Sequence, residues 1–175
     1  LASCGGVAPS SYLEVDPATG AGKASFTMSV PKNGVDGIGN NFVVADGDNP
    51  NVNQGYITSP DALLNLMKSK VPSGFEVTMK EETKMVDVEN DECEVETKDQ
   101  GSYDYTVTFS FSNVDDYNAK VKEWLPEKYW DLAKTALGSD VKELVMSTSG
   151  DAKDATVSLT ADMRILAVVC QWVYD

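Results

Sequence analysis

The sequence contains no histidine among its 175 residues. Without imidazole, its own side chains cannot form a Ser-His-Asp triad, a Cys-His nucleophile or a histidine-ligated zinc site. Carboxylate pairs, Ser-Lys arrangements and oxygen-ligated calcium are the chemistries that remain. The sequence predicts no cofactor, and it favours a non-catalytic protein without deciding the question of enzymatic activity.

Basic residues are also scarce: 14 Lys and Arg face 28 Asp and Glu, which gives a net charge of -14, and no basic run occurs. Phosphate backbones would be repelled by this surface, so a nucleic acid is excluded as a partner. Attraction to anionic lipid headgroups is disfavoured for the same reason. We therefore expect any attachment to a membrane to be covalent.

Long hydrophobic runs are missing as well. The longest, Ile165–Cys170, has 6 residues, against the ~20 of a membrane-spanning helix. The sequence has 3 cysteines, Cys4, Cys93 and Cys170. An exported protein could join the last two in a disulfide. We expect two thiols instead, because Cys170 lies in an apolar run and Cys93 in an acidic segment expected to form a loop.

The first residues, Leu1-Ala2-Ser3-Cys4, followed by Gly5, resemble the lipobox of bacterial lipoproteins. In that signal the leader is cut before the cysteine, and the thiol carries diacylglycerol. The resemblance implies lipidation of Cys4 and an extracytoplasmic location, anchored to the bacterial membrane; the alternative is a chance match of four residues. Residues 1–11 are interpreted as the lipobox remnant with a flexible tether, and residues 12–175 as a single domain.

The first half of this domain combines strands with a helix. Tyr12–Val15 is expected to form a short strand, and Lys23–Val30 alternates apolar and polar residues, which indicates a strand with one buried and one hydrated face. Residues 31–56, rich in Gly, Asn and Asp, predict a long surface loop. The pair Ser59-Pro60 is typical of a helix start, and Pro72-Ser73-Gly74 ends that helix.

The second half repeats this order. Phe75–Met79 begins a strand, and Tyr103–Phe111 shows the clearest alternation in the chain. Asn113 is expected to cap the helix that follows. We therefore predict a duplicated strand–strand–helix unit, with residues 12–72 and 75–126 as its two copies.

The remainder is expected to form one helix and three strands. The helix Glu127–Leu137 ends at Gly138. Strands are predicted at about 141–147 and 155–163, and a last apolar strand at Ile165–Tyr174. Strands with polar alternate faces favour an antiparallel sheet with helices packed on one face. The predicted fold class is α+β.

The segment Ser110–Tyr117, a strand that runs directly into a capped helix, is similar to segments of bacterial LppM-type envelope lipoproteins. In that family an anchored α+β domain precedes a C-terminal membrane segment. The resemblance implies an envelope domain and provides no catalytic residues to transfer to this chain.

Residues 81–99, which we call the acidic segment, contain nine acids and two lysines and so hold half of the net charge. The nine are Glu81, Glu82, Asp87, Glu89, Asp91, Glu92, Glu94, Glu96 and Asp99. One interpretation is a cation site or a patch for a basic partner. The preferred one is a solvated hairpin tip whose charges keep an exposed edge from pairing, because no fixed ligand spacing is visible.

Asp46 and Asp48 are the candidate metal ligands, since their loop superficially resembles a calcium loop. Pro50 occupies the third ligand position, however, and Asn51 stands where the tight-turn glycine belongs. A turn rich in Asx and Gly residues is the preferred interpretation.

Trp124, Tyr129 and Trp130 are the candidate ligand-binding residues, because clustered surface aromatics can stack on sugars. Aromatics at helical spacing are more typical of a core, which is the default interpretation.

The leading functional hypothesis is a lipid-anchored extracytoplasmic binding or interaction domain of the bacterial cell envelope, with an envelope glycan, lipid or protein as its partner. The alternative is a carbohydrate-active enzyme or its sugar-binding accessory module. The alternative requires a cleft with two close carboxylates, one of raised pKa, beside an exposed tryptophan. A structural spacer or adhesin, without any concave apolar pocket, is a third hypothesis.

Overall fold

A four-stranded antiparallel sheet is the centre of the fold in the computed structural model, which describes residues 8–32, 43–44, 55–56, 60–149, 156–160, 162 and 164–175. The strands are β1 (Ala8–Val15), β2 (Gly22–Pro31), β3 (Val43–Val44), β4 (Gly55–Tyr56), β5 (Glu76–Glu82), β6 (Met85–Glu89), β7 (Val95–Asp99), β8 (Ser102–Phe111), β9 (Val145–Ser149) and β10 (Thr156–Thr160). The helices are α1 (Pro60–Lys70), α2 (Val114–Trp124), α3 (Glu127–Leu137) and α4 (Ile165–Tyr174).

The main sheet has the order β1-β2-β8-β5, and each neighbouring pair is antiparallel. Three further two-stranded sheets pair β3 with β4, β6 with β7, and β9 with β10. Helices packed against an antiparallel sheet make this an α+β fold, so the predicted fold class is confirmed.

The two central strands separate a buried face from a polar face. Buried side chains on one face come from alternate positions of both strands: Ala24, Phe26, Met28, Val30, Tyr105, Val107, Phe109 and Phe111. On the other face, hydroxyl groups form cross-strand hydrogen bonds, Ser25 with Thr108 at 3.1 Å and Thr27 with Thr106 at 2.8 Å. The predicted strand with one buried and one hydrated face is therefore confirmed, and such cross-strand pairs stabilise the sheet.

The helices α2 and α3 follow the predicted capping signals. The Asn113 side chain accepts a hydrogen bond from the Asp116 N–H at 2.8 Å, which satisfies one of the unpaired amides of the first turn of α2. Helix α3 ends at Leu137, and Gly138 follows it at a φ of 124°. Both helix predictions are confirmed. Helix α1 begins at Pro60 as predicted, while its predicted cap, Ser59, lies outside the described residues.

The prediction of a last apolar strand is wrong, because Ile165–Tyr174 forms the helix α4. Buried side chains cover a wide arc of this helix, as Val168, Cys170 and Val173 show. A helix that is apolar all round lacks the polar stripe that marks helical periodicity, so the sequence pattern cannot distinguish it from a buried strand. The helix also satisfies its own backbone hydrogen bonds inside the core.

Several boundaries differ from the predicted ones. Strand β1 already begins at Ala8, where Ala8 pairs with Ser29, so Ala8–Ser11 belongs to the sheet and not to the tether. The strand predicted at 141–147 is β9, shifted toward the C-terminus, and β10 covers the centre of the one predicted at 155–163. Of the predicted loop 31–56, most residues lie outside the described ones.

The strand–strand–helix order occurs in both halves, and β2 and β8, the second long strands of the two predicted copies, lie side by side in the sheet. The duplication itself stays a prediction. Cys93 and Cys170 are not joined in a disulfide, as expected: Cys93 is exposed and Cys170 is buried.

Candidate functional site

The residues that the sequence singled out fall into two groups. Cys4, Asp46 and Asp48 lie outside the described residues. The three aromatic candidates lie in the core, with exposures of 1% for Trp124, 6% for Tyr129 and 2% for Trp130. None of these three rings offers an exposed face on which a sugar could stack.

The corner between α2 and α3 fixes these aromatic rings. Leu125, between the helices, is fully buried, and Pro126 has a φ of -59°, which suits the residue preceding the first turn of α3. The indole N–H of Trp130 donates to the Leu125 carbonyl at 3.1 Å. Trp124 packs edge-on against Trp172 of α4, with ring centroids 5.7 Å apart. The aromatic cluster is therefore structural: it joins three helices.

A groove of about 200 Å³ opens beside this corner. Four segments line it: α2, the start of α3, the end of the connection from α3 to β9, and the first residue of β9. The lining residues are Asn118, Val121, Lys122, Glu127, Trp130, Glu143, Leu144 and Val145. The groove thus combines an apolar base with two carboxyl groups and an amine.

Asn118 sets the position of the groove wall. Its side-chain amide donates to the Met146 carbonyl at 2.9 Å, and its side-chain carbonyl accepts from the Met146 N–H at 2.9 Å. Met146 is buried, so these two bonds replace the strand partner that its backbone would otherwise need. They hold β9 against α2.

The two carboxyl groups in the groove interact directly. A hydrogen bond with Glu143 is the main reason why the pKa of Glu127 is raised, and partial burial and the negative charge of Glu143 raise it further. The positive charges of Lys134 and Lys122 oppose this shift. The Lys134 Nζ lies 3.9 Å from Glu127 Oε1 and 3.8 Å from Glu143 Oε1.

The alternative of a carbohydrate-active enzyme requires an exposed tryptophan beside two close carboxyl groups. Trp130, the tryptophan that lines this groove, is only 2% exposed, so it offers no ring face on which a sugar could stack here.

The acidic segment is a second candidate surface. Strands β6 and β7 pair in the same register as β5 and β8, so the two pairs form one long hairpin with a break at residues 83–84 and 100–101. The central strand β2 ends where Pro31 pairs with Ser102. The part formed by β6 and β7 therefore extends beyond the end of β2. The hairpin that the sequence predicted here is confirmed.

Lys32 fixes the base of this hairpin. Its Nζ lies 2.6 Å from Glu81 Oε1 and 2.6 Å from Asp99 Oδ2, and its side chain is only 10% exposed. Asp99 Oδ1 also accepts hydrogen bonds from the backbone N–H groups of Lys84 and Gly101. These contacts tie β2, β5 and β7 together at the break and so restrict the direction in which the hairpin leaves the sheet.

The outer part of the hairpin is ordered by its turn and is widely exposed. Asn90 Oδ1 accepts from the N–H groups of Glu92 and Glu94, both at 2.9 Å. Two apolar side chains stand in solvent, Met85 at 59% and Val95 at 70% exposure. The outer hairpin therefore presents acidic side chains together with two exposed apolar side chains to solvent.

Within the described part of the chain, no group of three or more Cys, Asp or Glu side chains is arranged to hold a metal ion. Among the same residues, no helix has the length and apolar character needed to cross a membrane.

These features define a domain class: an α+β fold with one helix-covered antiparallel sheet, a charged groove and a projecting acidic hairpin. No protein-family model matches the chain, and no curated protein and no solved structure shows significant similarity to it.

The sequence reasoning missed Glu127, Glu143 and Lys134. Glu127 precedes Glu143 by 16 positions, and the rest of α3 with the connection that follows Gly138 separates them in the sequence. No spacing rule brings two such positions together, because their contact depends on the path of the chain after Gly138. The sequence predicted only that Glu127 lies in the first turn of a helix.

Proposed function

We propose that this chain is a lipid-anchored, extracytoplasmic interaction domain of the bacterial cell envelope, and that it contacts a basic protein partner through the acidic segment. The observation that carries the proposal is the hairpin of β6 and β7, which extends beyond the end of β2 and exposes acidic and apolar side chains together. Charge selects the partner: a surface that holds half of a net charge of -14 repels anionic partners and attracts cationic ones.

The fixed base of the hairpin supports this proposal. A surface that is already ordered before binding loses less conformational entropy on association. The contacts of Lys32 with Glu81 and Asp99, and the turn contacts of Asn90, provide such order.

The position of the proposed anchor is compatible with a partner close to the membrane. Ala8 pairs with Ser29, near the end of β2 that also adjoins the base of the hairpin at Ser102. Cys4 precedes Ala8 by four residues, a reach of at most about 14 Å. A lipid on Cys4 and the acidic hairpin would therefore leave the domain from the same end of the sheet. A basic protein segment near the membrane surface fits this arrangement.

A test of the anchor uses the full gene product in its native host. We expect the mass of the N-terminal peptide to include a diacylglyceryl group on Cys4, and the protein to fractionate with the membrane. The variant Cys4→Ser should move to the non-membrane fraction, whereas Cys93→Ser should not. An unmodified Cys4, or a Cys4→Ser variant that stays on the membrane, would contradict the anchor.

The partner surface is tested separately, on the purified domain. The probe is a labelled peptide of alternating lysine and isoleucine, and its affinity is measured by fluorescence anisotropy at two salt concentrations. Neutralising four acids of the hairpin tip should weaken binding by roughly tenfold. The four changes are Glu89→Gln, Asp91→Asn, Glu92→Gln and Glu94→Gln.

A matched variant neutralises four exposed acids elsewhere and so has the same net charge. Its changes are Asp61→Asn, Glu76→Gln, Glu123→Gln and Asp131→Asn. We expect this control to retain most of the affinity. Equal losses in the two variants would mean that net charge alone attracts the peptide, and the hairpin would lose its assigned role.

A further inference from the structure

The strand β6 is the edge of a two-stranded ribbon, because it pairs with β7 alone among the strands that the structure describes. Two backbone hydrogen bonds enclose this ribbon. The Asn90 N–H donates to the Glu94 carbonyl at 2.9 Å, and the Gln100 N–H donates to the Lys84 carbonyl at 2.7 Å. The two strands keep one antiparallel register between these bonds.

This register fixes which backbone groups of β6 face away from β7. Antiparallel strands alternate between hydrogen-bonded and non-hydrogen-bonded pairs. Positions 84 and 90 belong to hydrogen-bonded pairs, so positions 86 and 88 do as well. The N–H and C=O groups of Met85, Asp87 and Glu89 therefore point outward, where no strand in the described part of the chain pairs with them. Each of these residues offers one donor and one acceptor to a further strand.

The side chains along this edge alternate in character. Val86 and Val88 are half-buried on one face, and Asp87 and Glu89 are exposed on the other. A strand added beside β6 would place alternate side chains next to the valines and next to the carboxylates. Opposite charges in such cross-strand pairs attract each other and like charges repel, so a second copy of this acidic edge is disfavoured. A strand that alternates basic and apolar residues matches both faces.

We infer that the outer edge of β6 binds an extended protein segment of alternating basic and apolar residues as an added strand. The inference rests on the proposed function, since it gives the binding mode of the basic partner. In strand addition the backbone hydrogen bonds provide affinity, and the side chains at alternate positions provide specificity. The contacts of Lys32 with Glu81 and Asp99 hold the hairpin in place before binding, which lowers the entropy cost of association.

The test uses the unmodified domain and the labelled peptide of alternating lysine and isoleucine, together with two N-methylated forms of it. One form is methylated on the lysine amides and the other on the isoleucine amides, so charge and side chains stay the same. Only one of these two sets of amides can face β6 in a paired strand. We expect one methylated form to bind roughly tenfold more weakly than the parent peptide and the other to keep its affinity. Equal affinities of the three peptides, or equal losses in both methylated forms, would overturn strand addition.

Two pairs of variants locate the edge. Glu89→Pro and Glu89→Gln remove the same charge, but only the proline removes an outward N–H of β6. Thr97→Pro and Thr97→Val make the same comparison on the outer edge of β7, and both lose the hydrogen bond from Thr97 to Asp87. We expect Glu89→Pro to bind roughly fivefold more weakly than Glu89→Gln, and the two Thr97 variants to bind equally. The assignment to β6 is overturned if the two Glu89 variants bind equally, or if Thr97→Pro is the variant that loses affinity.

The outcomes separate this inference from the proposed function. If neutralising the acids of the hairpin tip weakens binding and methylation of the peptide does not, the hairpin keeps its role and strand addition alone fails. If the tip acids have no selective effect, the proposed function fails together with this inference. Sedimentation of the domain alone gives its oligomeric state. A dimer that Glu89→Pro dissociates would mean that a second copy occupies the edge, which would overturn the basic partner.

Discussion

Asn118 shows how a single side chain can take the place of a strand. Its amide pairs with both backbone groups of Met146, at 2.9 Å each, and so continues the hydrogen bonding of β9 onto a helix. Buried backbone groups of this kind need partners, because an unpaired one costs about 1–3 kcal/mol. The wall of the groove therefore depends on one residue of α2.

Asn118→Ala should lower the free energy of unfolding by about 2–3 kcal/mol, because it leaves the N–H and the carbonyl of buried Met146 without their partners. Unfolding in urea, followed by tryptophan fluorescence, measures this loss. Asn65→Ala is the matched control, since Asn65 is exposed on α1, and its effect should stay within about 0.5 kcal/mol. Equal stabilities of the two variants would show that the Met146 contacts contribute nothing.

For single residues, the sequence predicted burial better than it predicted which residues are in contact. It placed Trp124, Tyr129 and Trp130 in the core by their helical spacing, and all three are buried. It did not predict that Asn118 contacts Met146, 28 positions away. A polar residue on a helix has the same local pattern whether it faces water or a strand, so its partner cannot be inferred from spacing.

At the scale of elements, the end of α3 depends on one backbone conformation. Gly138 follows the helix at a φ of 124°, in the region that favours glycine, and a Cβ there would lie 2.6 Å from Asp140 Oδ1. Moving Asp140 away would lengthen its 3.0 Å ion pair with Arg164.

Gly138→Ala should therefore destabilise the protein by about 1–2 kcal/mol through backbone strain and the contact with Asp140. Gly74→Ala is the comparison: its φ is 86°, but nothing lies within 4 Å of the added Cβ. We expect the loss at Gly74 to be the smaller of the two in thermal or urea unfolding. A larger loss at Gly74 would show that the side chain of Asp140 gives way freely.

The ion pair at the base of the hairpin should make the stability of the fold depend on pH in the acidic range. The ion pair with Lys32, assisted by backbone N–H groups of Lys84 and Gly101, lowers the pKa of Asp99 to about 2. Its value in an unfolded chain is about 3.9. Because the folded value is the lower one, this contact stabilises the fold above pH ~4, and the contribution is lost as the pH falls through ~2.

Asp99→Asn should consequently be less stable than the unmodified protein at neutral pH and should approach it near pH ~2. Urea unfolding at a series of pH values measures the difference. Asp91→Asn, at the exposed hairpin tip, is the matched control, and at neutral pH its stability should stay within about 0.5 kcal/mol of the unmodified protein. A constant difference between the Asp99 variant and the unmodified protein at every pH would contradict the assigned ion pair.

Strands and helices with one apolar and one polar face were predicted correctly. Helix α4, which has no polar face, was predicted as a strand. Strands β2 and β8 alternate apolar and polar residues because one face is buried and the other carries hydroxyl pairs. Helices α2 and α3 have capping residues and an apolar stripe. Helix α4 is buried over a wide arc that includes Val168, Cys170 and Val173, so its apolar run gives the same local pattern as a buried strand.

At the scale of the whole molecule, the excess of negative charge should limit stability. With a net charge of -14, the acidic side chains repel one another more strongly in the compact folded state than in the expanded unfolded chain. Surface ion pairs such as Lys80–Glu82, at 2.7 Å, offset only part of this repulsion.

Raising the NaCl concentration from about 0.01 M to about 1 M shortens the screening length from about 30 Å to about 3 Å. We expect the free energy of unfolding in urea to rise by roughly 1 kcal/mol as the repulsion is screened. The variant with four neutralised acids in the hairpin should gain less free energy of unfolding over the same rise in NaCl concentration. A fall in stability with added salt would show that attractive ion pairs outweigh the net repulsion.

The sequence by itself determined the α+β class, the antiparallel pairing, the faces of β2 and β8 and the limits of α3, because each depends on periodicity or on a local capping residue. Tertiary structure alone decided that residues 165–174 form a helix, that Asn118 contacts Met146 and that Glu127 and Glu143 line the same groove. These features depend on which segments pack together, and hydrophobic contact between distant segments is non-directional, so no local pattern encodes its partner.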